Sequence, residues 1–424
     1  MRSEWPVLSF ARLCEEGVLL VNDGYRAKNV ELGGDGPIFL RGGLVQRDRI
    51  SFHDAERFRK NVIPKLQSKL SKPFDVVVTT KGWSTGRTTF MREGFPEVVY
   101  SPHMSFWRCL DRTRLDPGYL RQWSRSPQFA KQLEALAGTC TLHPYLSLAN
   151  QQRLRIELPP IDEQRRIAGV LGALDDKIEL NRKMNRTLEE MAQAIFKSWF
   201  IDFDGVPQSE MVDSELGPIP SGGSLASVPE LLRLNPKTKL ARGAFAKFVD
   251  MKALSTTGCY VDRVVEKEMK SGGAKFVGGD TLLARITPCL ENGKTAYVDF
   301  LEEGEVGFGS TEFIVLRPVD KSWREWVYCL ARSDVFRKHA ISNMTGSSGR
   351  QRVPVDCFDH LRFVRPEHEA VQEFSRVAAP CFKKIGANAE QSRTLAGIRD
   401  ALLPKLISGE IRVPEAEKAV EAVL

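Results

Sequence analysis

From Ile167 onward, positions suited to a packed seam recur at alternating steps of four and three: Ile167, Leu171, Leu174, Ile178, Asn181, Asn185, Leu188, Ala192, Ile195 and Trp199. A heptad rhythm sustained in this way predicts a long helix packed along its length against another. Pro159-Pro160 forces an extended entry, Asp162 and Glu163 suit the positive end of the helix dipole, and DFDGVP at 202–207 stops it. Gly169 and Gly172 weaken the first turns by about 1 kcal/mol each relative to alanine, which close approach of another backbone would offset.

The chain also matches itself. A shift of 207 residues lays RLRIELP (153–159) on HLRFVRP (360–366) and pairs Lys177, Ile178, Asn181, Arg186, Thr187, Leu188 and Ala194 with Lys384, Ile385, Asn388, Arg393, Thr394, Leu395 and Ala401. That is seven identities over residues 177–194, where unrelated sequence would give about one. Upstream, Arg125-Ser126 meets Arg332-Ser333, Phe129 meets Phe336, Lys131 meets Lys338, and GRT (86–88) meets GKT (293–295); a shift of 209 aligns Ser101 and Arg108 with Ser310 and Arg317. Each half is therefore a variable globular segment followed by a segment of constrained length. The repeat supplies the second seam: Phe374, Ala378, Cys381, Ile385, Asn388, Ser392, Leu395, Arg399, Leu402 and Leu406, with Pro404 and Ser408-Gly409 kinking and ending that helix.

Two such helices in one chain are expected to pair, and a duplicated unit folding on itself about a two-fold axis would make them antiparallel. The residues expected to carry the pairing are Ile167, Leu171, Leu174, Ile178, Asn181, Leu188, Ile195, Ile385, Asn388, Leu395 and Leu402. Asn181 and Asn388 would meet near the middle and fix register. Two solvent-facing asparagines on slightly rotated helices are the alternative.

The organisation that follows is two globular segments, 1–158 and 207–365, separated by two long helices, 159–206 and 366–412, paired as an antiparallel coiled coil, with a C-terminal tail at 413–424. At 424 residues the chain is too long for a single core. Positive charge is concentrated in residues 1–158, with 24 Lys and Arg against 16 Asp and Glu, which favours a polyanionic partner there. Residues 207–365 are nearly balanced, with 22 against 20.

The eight cysteines (14, 109, 140, 259, 289, 329, 357 and 381) form no CxxC pair and read as reduced thiols. His53, His103, His143, His339, His360 and His368 have no metal-binding spacing, and no metal site is expected. The N-terminal stretch carries Glu4, Arg12 and Glu15 and reads as neither signal nor transit peptide; a cytoplasmic location and no membrane segment are the expectation.

Residues 158–206, LPPIDEQRRIAGVLGALDDKIELNRKMNRTLEEMAQAIFKSWFIDFDGV, resemble the central conserved region of type I restriction-modification specificity subunits. RTLAGIRDALLPKLISGEIRV (393–413) is similar to their distal conserved region, and GGDTLLARITPCLENGKTAYV (278–298), GSTEFIVLRP (309–318) and TGSSGRQRVP (345–354) are similar to motifs of their target-recognition domains. The first globular segment matches least, with scattered equivalents such as PFDVVVTTKGWSTGRTTF (73–90). The resemblance implies the fold class α+β and a non-catalytic subunit, with two globular α+β target-recognition domains held apart by the paired helices, each reading one half of a split site in double-stranded DNA. It implies as partners two DNA methyltransferase (modification) subunits and motor-nuclease (restriction) subunits, to which S-adenosylmethionine, ATP and magnesium would belong.

Helices of about 40 residues are about 60 Å long, a span of roughly 18 base pairs, so they would act as a ruler that sets the two domains in a fixed rotational phase, with DNA of any sequence between them. Because the two halves differ in sequence, the target is expected to be asymmetric. Candidate DNA contacts are the polar, glycine-flanked loops: Arg41, Lys81, Ser84, Thr85 and Arg87 in the first half; Arg285, Thr287, Asn292, Lys294, Ser347, Ser348, Arg350, Gln351 and Arg352 in the second. An ordinary turn role fits each of them equally well, and Trp83 reads as a packing residue. Asp280, Glu291 and Lys294 faintly suggest a metal-dependent nuclease, but the spacing is wrong and the first half offers no equivalent to Glu291. No catalytic residue is assigned. The competing class is an assembly scaffold that binds no DNA, against which the charge of residues 1–158 argues.

Overall fold

The computed structural model describes residues 5–46, 49–52, 55–138 and 144–421. His53, Cys140, His143 and residues 422–424 lie outside the described residues. Backbone contacts divide the chain into two compact units, Met1–Asp176 with Ala396–Leu424, and Lys177–Leu395. The division cuts both heptad segments, so each unit holds a piece of each long helix. No helix among the described residues is long and apolar enough to cross a membrane.

In the first unit a four-stranded antiparallel sheet has the spatial order Leu19–Asp23, Met104–Cys109, Val76–Thr79, Thr88–Phe90. Side chains alternate across a strand. Val76, Val78 and Trp107 enter a core with helices Pro117–Trp123 and Pro127–Ala137, whereas Val77, Met104 and Phe106 pack with the parallel pair Ile38–Leu40 and Val98–Tyr100. Burial on both faces explains why FDVVVTT reads as an apolar run without alternation.

The second unit repeats the plan with strands Leu232–Leu234, Phe313–Pro318, Thr281–Ala284 and Thr295–Tyr297 in the same order. Leu283, Ile314 and Leu316 face helices Arg324–Arg332 and Asp334–Ser342; Leu282, Phe313 and Val315 face the other way. The parallel pair, here Phe245–Val249 with Val306–Gly309, is widened by strands Val265–Glu268 and Ala274–Val277.

The repeat seen in the sequence has local physical reasons. Ser126 and Ser333 are N-caps, and their hydroxyls accept the backbone N–H of Phe129 and Phe336 at 3.3 Å in each case. Arg108 and Arg317 each clamp a buried carboxylate from across the sheet. Arg108 donates from Nε and Nη2 to Asp75 at 2.7 and 2.7 Å, and Arg317 donates from the same atoms to Asp280 at 2.8 and 2.7 Å. Each aspartate also accepts the N–H of the residue three before it, Lys72 or Val277. Both units thus share one duplicated ion pair.

Within the second unit the long helices, Ile161–Lys197 and His368–Ile407, run antiparallel: Asn181 lies against Gln391 and Ser392, whereas the ring of Phe196 lies 6.1 Å from that of Phe374. Asn181 and Asn388 are both buried, which removes the solvent-facing alternative. They meet differently from expectation. Asn181 Nδ2 donates to Gln391 Oε1 at 2.9 Å and to the Asn388 backbone carbonyl at 3.3 Å, while Asn388 Nδ2 donates to Asn185 Oδ1 at 2.8 Å.

The seam also rotates. Ile178, Asn181, Asn185 and Ala192 are buried, but Leu188 and Ile195 are only half-buried and Trp199 is exposed; Glu189 and Phe196 take the inward places. On the second helix Cys381 yields likewise to Phe382, while Ile385, Asn388 and Leu395 stay buried. A helix with 3.6 residues per turn drifts by about 20° per heptad against a strict 3.5 repeat, so the inward face moves on by one residue. Beyond it, the first helix ends in one π-helical turn, Ser198–Asp202, closed by Phe203 in the left-handed conformation.

Within the first unit Ile167, Leu171, Leu402, Leu403 and Leu406 share one core, and Leu174 is buried as expected. The segment expected as a tail is a helix, Val413–Glu421, whose Val413 and Ala416 are fully buried; their three-residue spacing gives it one apolar face. A Cβ placed on Gly169 or Gly172 would meet nothing within 4 Å, so no close approach within the chain accounts for these glycines.

Asp175 closes the first unit electrostatically, accepting from Arg125 at 2.7 Å, Arg399 at 2.9 Å and Arg121 at 3.0 Å. Burial alone would raise its carboxyl, but the three guanidinium groups outweigh it and bring the pKa down to about 2. A folded pKa below the unfolded value of about 3.9 means stabilisation that is complete above about pH 5 and lost as the pH falls towards 2, worth about 2 kcal/mol. Asp175→Asn is therefore expected to flatten the fall in melting temperature of the first unit across that interval. An unchanged slope would reject this assignment.

Candidate nucleic-acid interface

In the first unit the hairpin between strands Val76–Thr79 and Thr88–Phe90 is built as two successive turns. Thr85 N–H donates to the Gly82 carbonyl at 3.0 Å and Arg87 N–H to the Ser84 carbonyl at 3.0 Å. Gly82 and Gly86 both take φ of +82°, which L side chains resist, and this is why glycines flank the tip. Thr85 Oγ1 donates to the Gly82 and Pro144 carbonyls, so the turn is tied to the chain at 144. Arg87 Nη1 donates to the Val45 carbonyl at 2.9 Å, which brings the segment after Arg41 beside the hairpin. Arg41 pairs with Glu56, both half-exposed, and Lys81 is exposed with its ammonium 4.8 Å from the Tyr145 ring centroid.

The reading of Trp83 as a packing residue is wrong. Its side chain is 88% exposed, the most exposed large hydrophobic group among the described residues. It occupies the second position of the turn closed by Thr85 N–H onto the Gly82 carbonyl, between the two strands.

The equivalent hairpin of the second unit, between Thr281–Ala284 and Thr295–Tyr297, shows the same economy of cations. Lys294, the counterpart of Arg87 in the GRT/GKT match, donates from Nζ to the Met251 carbonyl at 2.6 Å. Arg87 and Lys294 are therefore clasps between the hairpin and the neighbouring strand segment, a role their spacing did not reveal. Thr287 and Gln351 join the two candidate loops of this unit: the Thr287 N–H and hydroxyl both donate to the Gln351 carbonyl, at 3.0 and 3.3 Å, beside a β-bridge between Ile286 and Arg352. Arg352 makes a bidentate pair with Glu312 at 2.8–3.0 Å, which fastens the loop base. Ser347, Ser348 and Arg350 at the tip, and Asn292 on the facing hairpin, are exposed. Asp280 is locked to Arg317, Lys294 to a carbonyl, and Glu291 faces solvent, so the nuclease-like trio has no joint site. Among the described residues no group of three or more His, Cys, Asp or Glu could hold a metal ion.

Two features escaped sequence reasoning. Residues 41–87 hold eleven Lys and Arg against four Asp and Glu, and of those four Asp75 is buried and neutralised by Arg108. Nearly all the excess charge of the first half therefore falls within residues 41–87, the stretch that includes the hairpin. In the second half, residues 233–275 hold ten against four, an excess concealed by averaging over the whole segment. There Lys267 sits 4.4 Å from the Phe248 ring centroid, and Lys275 and Arg285 line a cavity of about 330 Å³ together with Asn235, Thr238 and Thr311. A sliding count of charge would have found both.

A family model, "Type I restriction modification DNA specificity domain", matches residues 130–190. The MjaIX type I restriction enzyme specificity subunit of Methanocaldococcus jannaschii is 29% identical over 339 residues, 76% of each chain. The HindI specificity subunit of Haemophilus influenzae is 25% identical over 341 residues, 66% of this chain and 73% of that one. In structure, the S subunit of a type I restriction-modification system from M. genitalium shares the fold with a TM-score of 0.53 at 14% identity, over 95% of this chain and 96% of that one. The family-model match and the curated relatives support a specificity subunit of the type I restriction-modification kind, and the duplicated units with their antiparallel long helices have the fold of a solved S subunit.

Proposed function

We propose that this chain is the DNA reader of a type I restriction-modification complex, recognising an asymmetric two-part target in double-stranded DNA and docking the modification and restriction subunits. The observation that carries this reading is one frame with two tips. The Asp75–Arg108 and Asp280–Arg317 pairs hold matching sheets, yet the hairpins they present, KGWSTGR and RITPCLENGK, share almost nothing. A duplicated scaffold with divergent loops is what reading two different half-sites demands. The excesses of Lys and Arg within residues 41–87 and 233–275 would supply the phosphate contacts that set affinity. Chemistry is left to the partners: methyl transfer would use S-adenosylmethionine, and translocation and cleavage ATP and magnesium, all bound outside this chain. The site of action is DNA in the cytoplasm.

Mapping methylation in host DNA with and without the chain is expected to reveal a split, non-palindromic motif that vanishes with it. Filter binding across a salt series should show log affinity falling linearly with log salt, by about 0.9 for each phosphate neutralised. A flat response would favour a scaffold that does not touch DNA.

A further inference from the structure

Resting on the reading above, we propose that Trp83 is a base-contacting residue of the first unit, making an apolar, sequence-discriminating contact with DNA in one half of the target only. The residue is held ready for this. Its turn is closed by Thr85 onto Gly82 and anchored to Pro144, so the indole stands on rigid backbone. One face of the ring is covered by the Arg87 guanidinium, 4.8 Å from the ring centroid, and Arg87 is itself pinned to the Val45 carbonyl. Nothing among the described residues of its own unit buries the other side, since the residue is 88% exposed.

The surroundings select the occupant. An exposed apolar ring within a stretch carrying eleven cations and four acids suits a ligand with a polyanionic backbone and flat apolar surfaces inside it, which describes duplex DNA. Lys81, two residues away and exposed, would meet phosphate while the indole meets base edges or the thymine methyl. The matching hairpin of the second unit, Arg285 to Lys294, contains no aromatic residue. The contact is therefore peculiar to one half-site.

Binding would be measured by fluorescence anisotropy, with the chain in its methylation-competent complex and duplexes carrying the mapped target, intact or altered in one half at a time. Trp83→Ala is expected to lower affinity for the intact target about ten- to a hundredfold, the range seen when an aromatic–base contact is removed. The loss should be equal at every salt concentration, because no counterion is released by an apolar contact. Discrimination should weaken at one half of the target and stay intact at the other, and Trp83→Phe should retain most of both. Lys81→Ala should instead reduce the salt slope without relaxing sequence choice. Unchanged affinity and discrimination in Trp83→Ala, or a loss shared equally by unrelated DNA, would overturn the inference while leaving the functional reading in place. A wild-type complex with no affinity for duplex DNA would overturn both.

Discussion

Asp280→Ala is expected to destabilise the second unit by about 3–5 kcal/mol, and Asp75→Ala the first by a similar amount, because each leaves a guanidinium group half-buried without its counterion. Asp280 is essentially inaccessible to solvent and takes both donors of Arg317, and Arg317 Nη2 also reaches Thr238 Oγ1 at 3.1 Å. The pair joins the strand Phe313–Pro318 to the start of Thr281–Ala284, so its removal loosens the sheet that carries the hairpin. The hydrogen bond to Asp280 holds the Arg317 pKa above its ordinary value, so the cation cannot escape by losing its proton. Equilibrium urea unfolding with the double variant Asp280→Leu/Arg317→Met separates pairing from packing. Replacing both partners should recover much of the loss, since an apolar pair carries no desolvation penalty. If Asp280→Ala alone changed the unfolding free energy by less than about 1 kcal/mol, the duplicated ion pair would not be the frame of the recognition fold.

Inserting one helical turn of four residues into each long helix at matched positions is expected to exchange the recognised target for one whose spacer is one or two base pairs longer. Four residues add about 6 Å and a base pair rises about 3.4 Å. Matched insertion preserves antiparallel partners such as Asn185 with Asn388, whereas insertion into one helix alone should break this register and abolish binding. Methylation mapping of the doubly lengthened variant should show both half-sites unchanged and the original spacing no longer methylated. A changed half-site with the old spacer would contradict the ruler and place spacing control in the recognition units themselves.

Much of the architecture was legible because it rests on local, periodic signals. Heptad spacing and the repeat announced both long helices; the 207-residue shift caught Ser126 and Ser333, which prove to be N-caps, and the shift of 209 caught Arg108 and Arg317, which prove to be the paired clamps. The details of the seam were not legible, because a strict heptad count ignores the drift of an ordinary helix and so chose Ile195 and Trp199 over Phe196. The candidate residues lie on loops and turns, but they could not be ranked from sequence.

The reason lies in how a cation or an aromatic finds its partner. Composition, period and repeat are properties of neighbours along the chain, and they alone determined two globular units, two long helices and the positions of the variable loops. What became of each loop residue depended on segments far away in sequence. Arg87 meets a carbonyl 42 residues away, Lys294 one 43 away, and Arg352 a carboxylate 40 away, so all three are held by the fold. Trp83 was left in solvent by the orientation of one anchored turn. Tertiary contact alone decides such matters, because burial and pairing depend on what the folded chain brings within a few ångströms, and distance along the sequence does not record it.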